Sequence, residues 1–263
     1  MDVGPYRLHI KCTGQGSPTV VLIHGFGNTL RAWSDVQPSV ARFARAWSYS
    51  RAGLGRSEPR PGHVRVKGLD LAGELRTLLR ESGAPPPYVV VGHSFGGAVA
   101  QLLAATDRTE ARGAVLVDPV PATFLTVPRE RLYAIGGESR VKRLLRYGVR
   151  EGGSRIDVAG LGRELLDARS LGSLPVVLLT RGETPPESTA AFEQLWNALQ
   201  RQEGRLSTNE QHVVAARSGH DIPADQPGLV TEAIRAVVRA ARSASPLPPC
   251  PRWVGRLDGT CVS

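Results

Sequence analysis

The stretch that most restricts how this chain can fold runs Val89-Val90-Val91-Gly92-His93-Ser94-Phe95-Gly96-Gly97-Ala98. A β-branched apolar run, the mark of a buried strand, drives into Gly-x-Ser-x-Gly, and small residues follow at Ala98, Ala100, Ala104 and Ala105 at helical spacing. Strand, sharp turn and helix in that order form a nucleophile elbow, in which the strand stops, the chain reverses and the Ser94 hydroxyl is left above the sheet on strained backbone. Gly92 and Gly96 flank the turn because a Cβ at either place would meet the crossing backbone. The plainer alternative is a Gly-rich strand-to-helix turn whose serine only caps the helix.

Two further segments fit the elbow. Upstream, Thr19-Val20-Val21-Leu22-Ile23 is a second apolar strand that ends in His24-Gly25-Phe26-Gly27, where a hydrolase of this kind builds half of its oxyanion hole. The backbone N–H groups of Phe26 and of Phe95, the residue after the serine, are the candidate donors to a developing oxyanion. Downstream, His212-Val213-Val214-Ala215-Ala216 leads to Ser218-Gly219-His220-Asp221. A histidine on the loop after the last strand is placed to act as general base, and Ser94 precedes His220 in the required chain order.

These residues resemble the serine hydrolases of the α/β-hydrolase fold, close to their esterase-like bacterial members. The matching segments are Leu22 to Gly27, Tyr49-Ser50-Arg51-Ala52-Gly53-Leu54-Gly55-Arg56-Ser57, Val91 to Gly97, Val115-Leu116-Val117-Asp118-Pro119 and Ser218-Gly219-His220, spread over most of residues 6–242. The resemblance implies a mostly parallel central sheet covered by helices on both faces, with a small helical cap. It also implies a triad. Where the family usually carries Asp, this chain has Ser50, so a carboxylate that stabilises that loop is missing.

The acid of the triad is read as Asp118, with Glu183 as the alternative. In most relatives it follows the strand after the cap in a Gly-x-x-Asp pattern, but here the register from Gly182 falls on Pro185. Glu183 lies in the same turn, Arg181-Gly182-Glu183-Thr184, and also reads as a solvated turn residue. Some members take the acid from the end of the preceding strand, which here is Asp118. Asp118 keeps the Ser…Asp…His order at a strand's C-terminal end, where open α/β sheets bind ligands, and it also reads as a carboxylate that stabilises its own loop.

Composition limits the alternatives. At 263 residues, with 41 % hydrophobic and 22 % charged, the chain reads as an ordinary globule large enough for one α/β domain with an insertion. A net charge of +9 raises nucleic acid as a partner, yet the basic residues are almost all arginine and spread along the chain, so none is expected. The densest basic stretch, Arg140, Lys142, Arg143, Arg146 and Arg150, reads as a solvated helix face. No apolar run is long enough for a membrane span, and no signal peptide is visible at the start, so the chain as it stands reads as cytoplasmic. Export would follow if a leader had been removed and Cys250 and Cys261 formed a disulfide around the tail, which leaves Cys12 over. No Cys/His spacing suits zinc, and Gly53-Leu54-Gly55 lacks the third glycine of a dinucleotide fingerprint, so neither metal nor cofactor is expected.

Along the chain, strands are predicted at 6–12, 18–23, 45–50, 89–93, 113–117, 175–180 and 211–216. Helices are predicted at 30–43, 65–82, 96–106, 187–202 and 227–243. The division is a first core part at 1–120, a helical cap at 121–172, a second core part at 173–243 and a tail at 244–263. Within the cap, helical patterns at 128–135, 138–147 and 158–170 are separated by glycine pairs. Trp33, Phe124 and Leu125 are candidate walls of the substrate pocket, and each also reads as a core residue. The expected activity is hydrolysis of a small-molecule carboxylic ester of small or medium acyl chain through an acyl-enzyme on Ser94. Acyl transfer, amide or lactone cleavage, perhydrolysis and a catalytically silent binding module are the alternatives.

Overall fold

In a strand covered by helices on both sides, successive residues enter opposite cores, so the whole run must be apolar. The computed structural model, which describes residues 1–262 apart from 63, 137–148, 169 and 187, shows burial along the whole length of the strands Thr19–Ile23, Tyr88–His93 and Val176–Arg181. The strands are β1 (Ile10–Thr13), β2 (Thr19–Ile23), β3 (Arg45–Tyr49), β4 (Arg65–Val66), β5 (Tyr88–His93), β6 (Ala111–Val117), β7 (Arg150–Glu151), β8 (Ser154–Ile156), β9 (Val176–Arg181), β10 (Glu210–Ala215) and β11 (Gly259–Cys261). Eight of them form one sheet in the order β1-β3-β2-β5-β6-β9-β10-β11. The six inner strands run parallel, and β1 and β11 close the edges antiparallel.

Alternation divides each strand between two cores. Val21, Val90, Leu116 and Leu178 join the helices Gly68–Glu81, Phe95–Thr106 and Val158–Asp167 on one side. Val20, Leu22, Val89, Val91, Val115 and Val177 meet Pro227–Ser243 on the other, through Leu229, Val230, Ile234, Val237 and Val238.

The expected alternation holds, with local differences. Residues 30–43, read as one helix, divide into a 3-10 turn, Leu30–Trp33, and a short helix, Gln37–Val40, because Pro38 favours the first turn of a new helix over the interior of an old one. The segment 121–172, expected to be a helical cap, is not all helical. After the helices Ala122–Thr126 and Arg129–Gly136, β7 and β8 form a hairpin across Gly152 and Gly153, and β8 pairs with β4. The helical reading of 138–147, with Arg140, Lys142, Arg143 and Arg146, lies outside the described residues. Helix Val158–Asp167, read as cap, buries Leu161 and Leu165 in the core beside Gly68–Glu81. The tail is also structured: β11 extends the sheet along β10, and a disulfide joins Cys250 to Cys261. Cys12 is free and exposed.

Candidate active site

Parallel pairing brings three strand ends together. His93 is opposite Val117, and Val117 opposite Leu179, so Ser94, Asp118 and Thr180 follow side by side along one edge of the sheet. Ser94 lies between β5 and the helix Phe95–Thr106 at φ 55° and ψ −120°, a left-handed conformation that strains a residue with a Cβ. The flanking glycines make room for it. A Cβ on Gly92 would collide with the Gly96 carbonyl, and one on Gly96 with the carbonyls of Ile23 and His24.

His220 arrives on the loop after β10. Its Nε2 is 2.9 Å from Ser94 Oγ and its Nδ1 is 2.6 Å from Asp118 Oδ2. With a proton on Nδ1, His220 donates to Asp118 and accepts from the Ser94 hydroxyl. Asp118 is wholly buried and itself has a positive φ of 38°, with its N–H donated to Leu179 O. Its Oδ1 accepts from Arg181 N at 3.3 Å, and Trp196 Nε1 and Gln200 Nε2 lie at 3.4 and 3.5 Å. Of the two acid candidates, the structure brings Asp118 to the histidine. Glu183 is exposed in its turn, where its N–H donates to Ser218 O.

His93 anchors the histidine loop. Its Nε2 is 2.8 Å from the His220 carbonyl, while burial, helped by the neighbouring His220, pushes its pKa down to about 4. His93 is therefore neutral at pH 7 and can donate from Nε2.

The loop after β2 lies directly against the serine: a Cβ on Gly25 would sit 3.4 Å from Ser94 Cβ. Arg51, fully buried, fixes this loop from behind. Its Nη1 donates to His24 O at 2.6 Å and its Nη2 to Gly25 O at 2.7 Å. Gly25 O and Phe26 N–H belong to one planar peptide unit, so a hold on the carbonyl sets the direction of the amide. Phe95 opens its helix, and the first N–H groups of a helix have no partner within it. Burial and the charge of Arg51 hold His24 well below the usual histidine range, and its neutral ring accepts from Arg51 N at 3.2 Å.

Glu151, from β7 of the cap, completes the brace. It accepts from Arg51 Nε at 2.6 Å and Nη2 at 2.8 Å, and from Gly27 N at 2.8 Å. The close approach needs two glycines, since Gly53 and Gly152 touch backbone to backbone with no room for a Cβ on either. Ser50, in place of the family's carboxylate, accepts from Leu30 N at 3.2 Å and still ties the loop.

The pocket candidates divide. Trp33 has no exposed surface and packs with Val20, Leu22, Val36 and Val40 in the core, which corrects its reading as a pocket wall: its turn faces the sheet. Phe124 stands edge-on to Trp196 at 5.5 Å, and Trp196 stands edge-on to His220 at 6.3 Å. Phe124 and Leu125 also line a cavity of about 490 Å³ with Leu132 and Ile156, but Arg65, Arg155, Asp157 and Arg163 share that lining and Ser94 and His220 do not. Phe26, 41 % exposed, meets Phe95 edge to face at 5.8 Å at the rim of the serine.

Sequence reasoning passed over Arg181, Glu193, Trp196 and Gln200. The available signal was a charge closing an otherwise apolar strand, which burial forces to find a partner, and polar residues on the buried face of helix Ala190–Glu203.

A mostly parallel eight-stranded sheet with a strained serine turn after β5 and a histidine loop after β10 has the architecture of the α/β hydrolases. The sequence profile of the Alpha/beta hydrolase family matches residues 20–234, and the chain belongs to that family. It is 28 % identical over 244 residues to the uncharacterized protein YqjL of Bacillus subtilis (strain 168), covering 89 % of each chain. Among solved structures, a thermophilic esterase from Thermogutta terrifontis superposes with a TM-score of 0.66 at 22 % identity, over 90 % of this chain and 94 % of that one. The monoacylglycerol lipase of Paleococcus ferrophilus gives a TM-score of 0.59 at 19 % identity, over 91 % of this chain and all (100 %) of that one. At these identities the structural likenesses establish the fold. Among the described residues, no helix is long and apolar enough to cross a membrane.

Proposed function

We propose that the protein is a serine hydrolase that cleaves small-molecule carboxylic esters of small or medium acyl chain through an acyl-enzyme. The observation that carries this reading is the unbroken chain from Ser94 Oγ through His220 to Asp118, at 2.9 and 2.6 Å. His220 takes the Ser94 proton as the hydroxyl attacks the ester carbonyl, and Asp118 holds the imidazole tautomer and balances the imidazolium. The Phe26 and Phe95 amides receive the oxyanion, a contribution of about 100- to 1000-fold in rate per donor. His220 then protonates the departing alcohol, and water repeats the sequence on the acyl-enzyme to release the acid.

Phe124, edge-on to Trp196, which is in turn edge-on to His220, supports a wall for a short or medium acyl group beside the triad. The Cys250–Cys261 disulfide favours an oxidising compartment. The test is hydrolysis of p-nitrophenyl esters from acetate to palmitate by the wild type and Ser94→Ala. Turnover peaking at short chains and vanishing in the variant is expected. Near-wild-type activity in Ser94→Ala would sink the assignment, and a wild type inert to a serine-reactive phosphonate would indicate a binding module.

A further inference from the structure

Asp118 is one end of a buried charge relay. Arg181, the last residue of β9, approaches it twice, through its backbone N–H at 3.3 Å to Oδ1 and through Nη1 at 3.3 Å to Oδ2. The arginine's stronger attachment is elsewhere. Its Nη2 donates to both oxygens of Glu193, at 2.8 and 2.9 Å, and Ser188 Oγ also donates to Glu193. The guanidinium lies over the Trp196 ring, 4.7 Å from its centroid. The Arg181 side chain is 5 % exposed, that of Asp118 0 % and that of Glu193 10 %, so solvent screens little of what passes between them.

Taken alone, an arginine beside a catalytic carboxylate is a liability. It would neutralise the charge that must stabilise the His220 imidazolium, and an ion pair cancels at the histidine much of what each partner contributes. A second carboxylate on the far side of the arginine removes the liability. Asp118, Arg181 and Glu193 together carry one net negative charge, the value a lone aspartate would have. The geometry fits this division: Arg181 is bound short and bidentate to Glu193, and long to Asp118.

We propose that Arg181 and Glu193 are positioning residues for Asp118, the arginine fixing the carboxylate against His220 and Glu193 taking up the arginine's charge so that Asp118 keeps its own for the imidazolium. The inference rests on the serine-hydrolase reading above. The other titratable or charged groups beside His220 are His93 from β5 and Asp221, the next residue on its own loop, with Asp225 ending the short helix that follows. Among the described residues Arg181 pairs with none of them.

The test reads the second-order rate of Ser94 labelling by a fluorophosphonate as a function of pH, which requires no knowledge of the natural substrate. Wild type, Ser94→Ala, Glu193→Gln and the double variant Arg181→Met/Glu193→Gln are compared. In Glu193→Gln the relay is neutral, so the acid limb of the profile moves down in pH and the plateau falls, roughly tenfold. The double variant restores one net negative charge and brings the limb back. A wild-type limb in Glu193→Gln, or a double variant no better than it, overturns the proposal, since a purely structural role would lower the plateau without moving the limb. Should Glu193→Gln fail to fold, Arg181→Met decides: it leaves two net negative charges beside His220, so the limb moves up, and an unmoved limb overturns the proposal. Absence of labelling in the wild type, or labelling of Ser94→Ala at the same rate, would instead overturn the serine-hydrolase reading.

Discussion

Replacing Glu151 with glutamine tests whether strand β7 governs the loop after β2, the oxyanion loop of the proposed mechanism. The side chain keeps its shape and still accepts from Gly27 N, but Arg51 loses the carboxylate it grips at 2.6 and 2.8 Å. Arg51 is fully buried, and breaking a buried pair by removing one partner costs about 3–5 kcal/mol, because the remaining charge has no water to turn to. At about 2–4 °C per kcal/mol for a domain near this size, Tm falls by roughly 6–20 °C. The chemical effect is separate. With its fork slack, Arg51 no longer pins Gly25 O, so the Phe26 amide loses its fixed direction. Full loss of one oxyanion donor is a decrease of about 100- to 1000-fold in kcat, and KM stays near wild type because the oxyanion exists only in the transition state. Calorimetry and p-nitrophenyl ester kinetics at 20 °C read the two effects independently. A full thermal loss with kcat unchanged would mean that the brace serves stability alone. An unchanged Tm would refute the buried-charge argument itself.

Three other outcomes follow from the same structure. Burial raises Glu203 to about 7 and Glu210 to about 8, above ordinary carboxylates. A group whose folded pKa is raised stabilises below its unfolded pKa, so the contribution of these two declines from about pH 4.5 through pH 7–8. The depressed His24, His93 and His212 meanwhile add stability as the pH rises to about 6.5. Urea unfolding of wild type against Glu210→Gln isolates the first effect, as a stability difference that falls over its pH window. Asp118→Asn lowers kcat steeply, by roughly 10⁴-fold if it behaves as the serine-protease triad does, while Glu183→Gln leaves it unchanged; the reverse ranking would transfer the acid to Glu183. Replacing Cys250 and Cys261 by serine costs about 3 kcal/mol for a loop with a sequence separation of 11, read as a lower urea midpoint, and an unchanged midpoint would show that the tail is held by β11 pairing alone.

How far the site could be read from the sequence depended on how local each constraint is. Ser94 was legible because its demands fall within five residues: the strained φ needs room, and Gly92 and Gly96 supply it. The strands were legible because burial on both faces leaves unbroken apolar runs such as Val89-Val90-Val91. The proposed acid was legible only as a preference, Asp118 ahead of Glu183, since both follow strands and it is the register of β6 against β9 that brings Asp118 to His220. The β7–β8 hairpin escaped for a related reason. Its strands are two and three residues long, too short to show alternation, and Gly152-Gly153 reads equally well as a gap between helices. Trp33 looked like a pocket wall from its nearness in sequence to the oxyanion loop, but the turn Leu30–Trp33 points it into the opposite core. The two arginines have the most to say about the chain. Arg51 and Arg181 each follow or close a buried strand, each is paired to a glutamate, and each presses on one half of the proposed site: the loop after β2 for one, Asp118 for the other. A charge placed where the strand pattern demands an apolar residue is a cost to folding, and here both charges sit against groups whose orientation the chemistry needs.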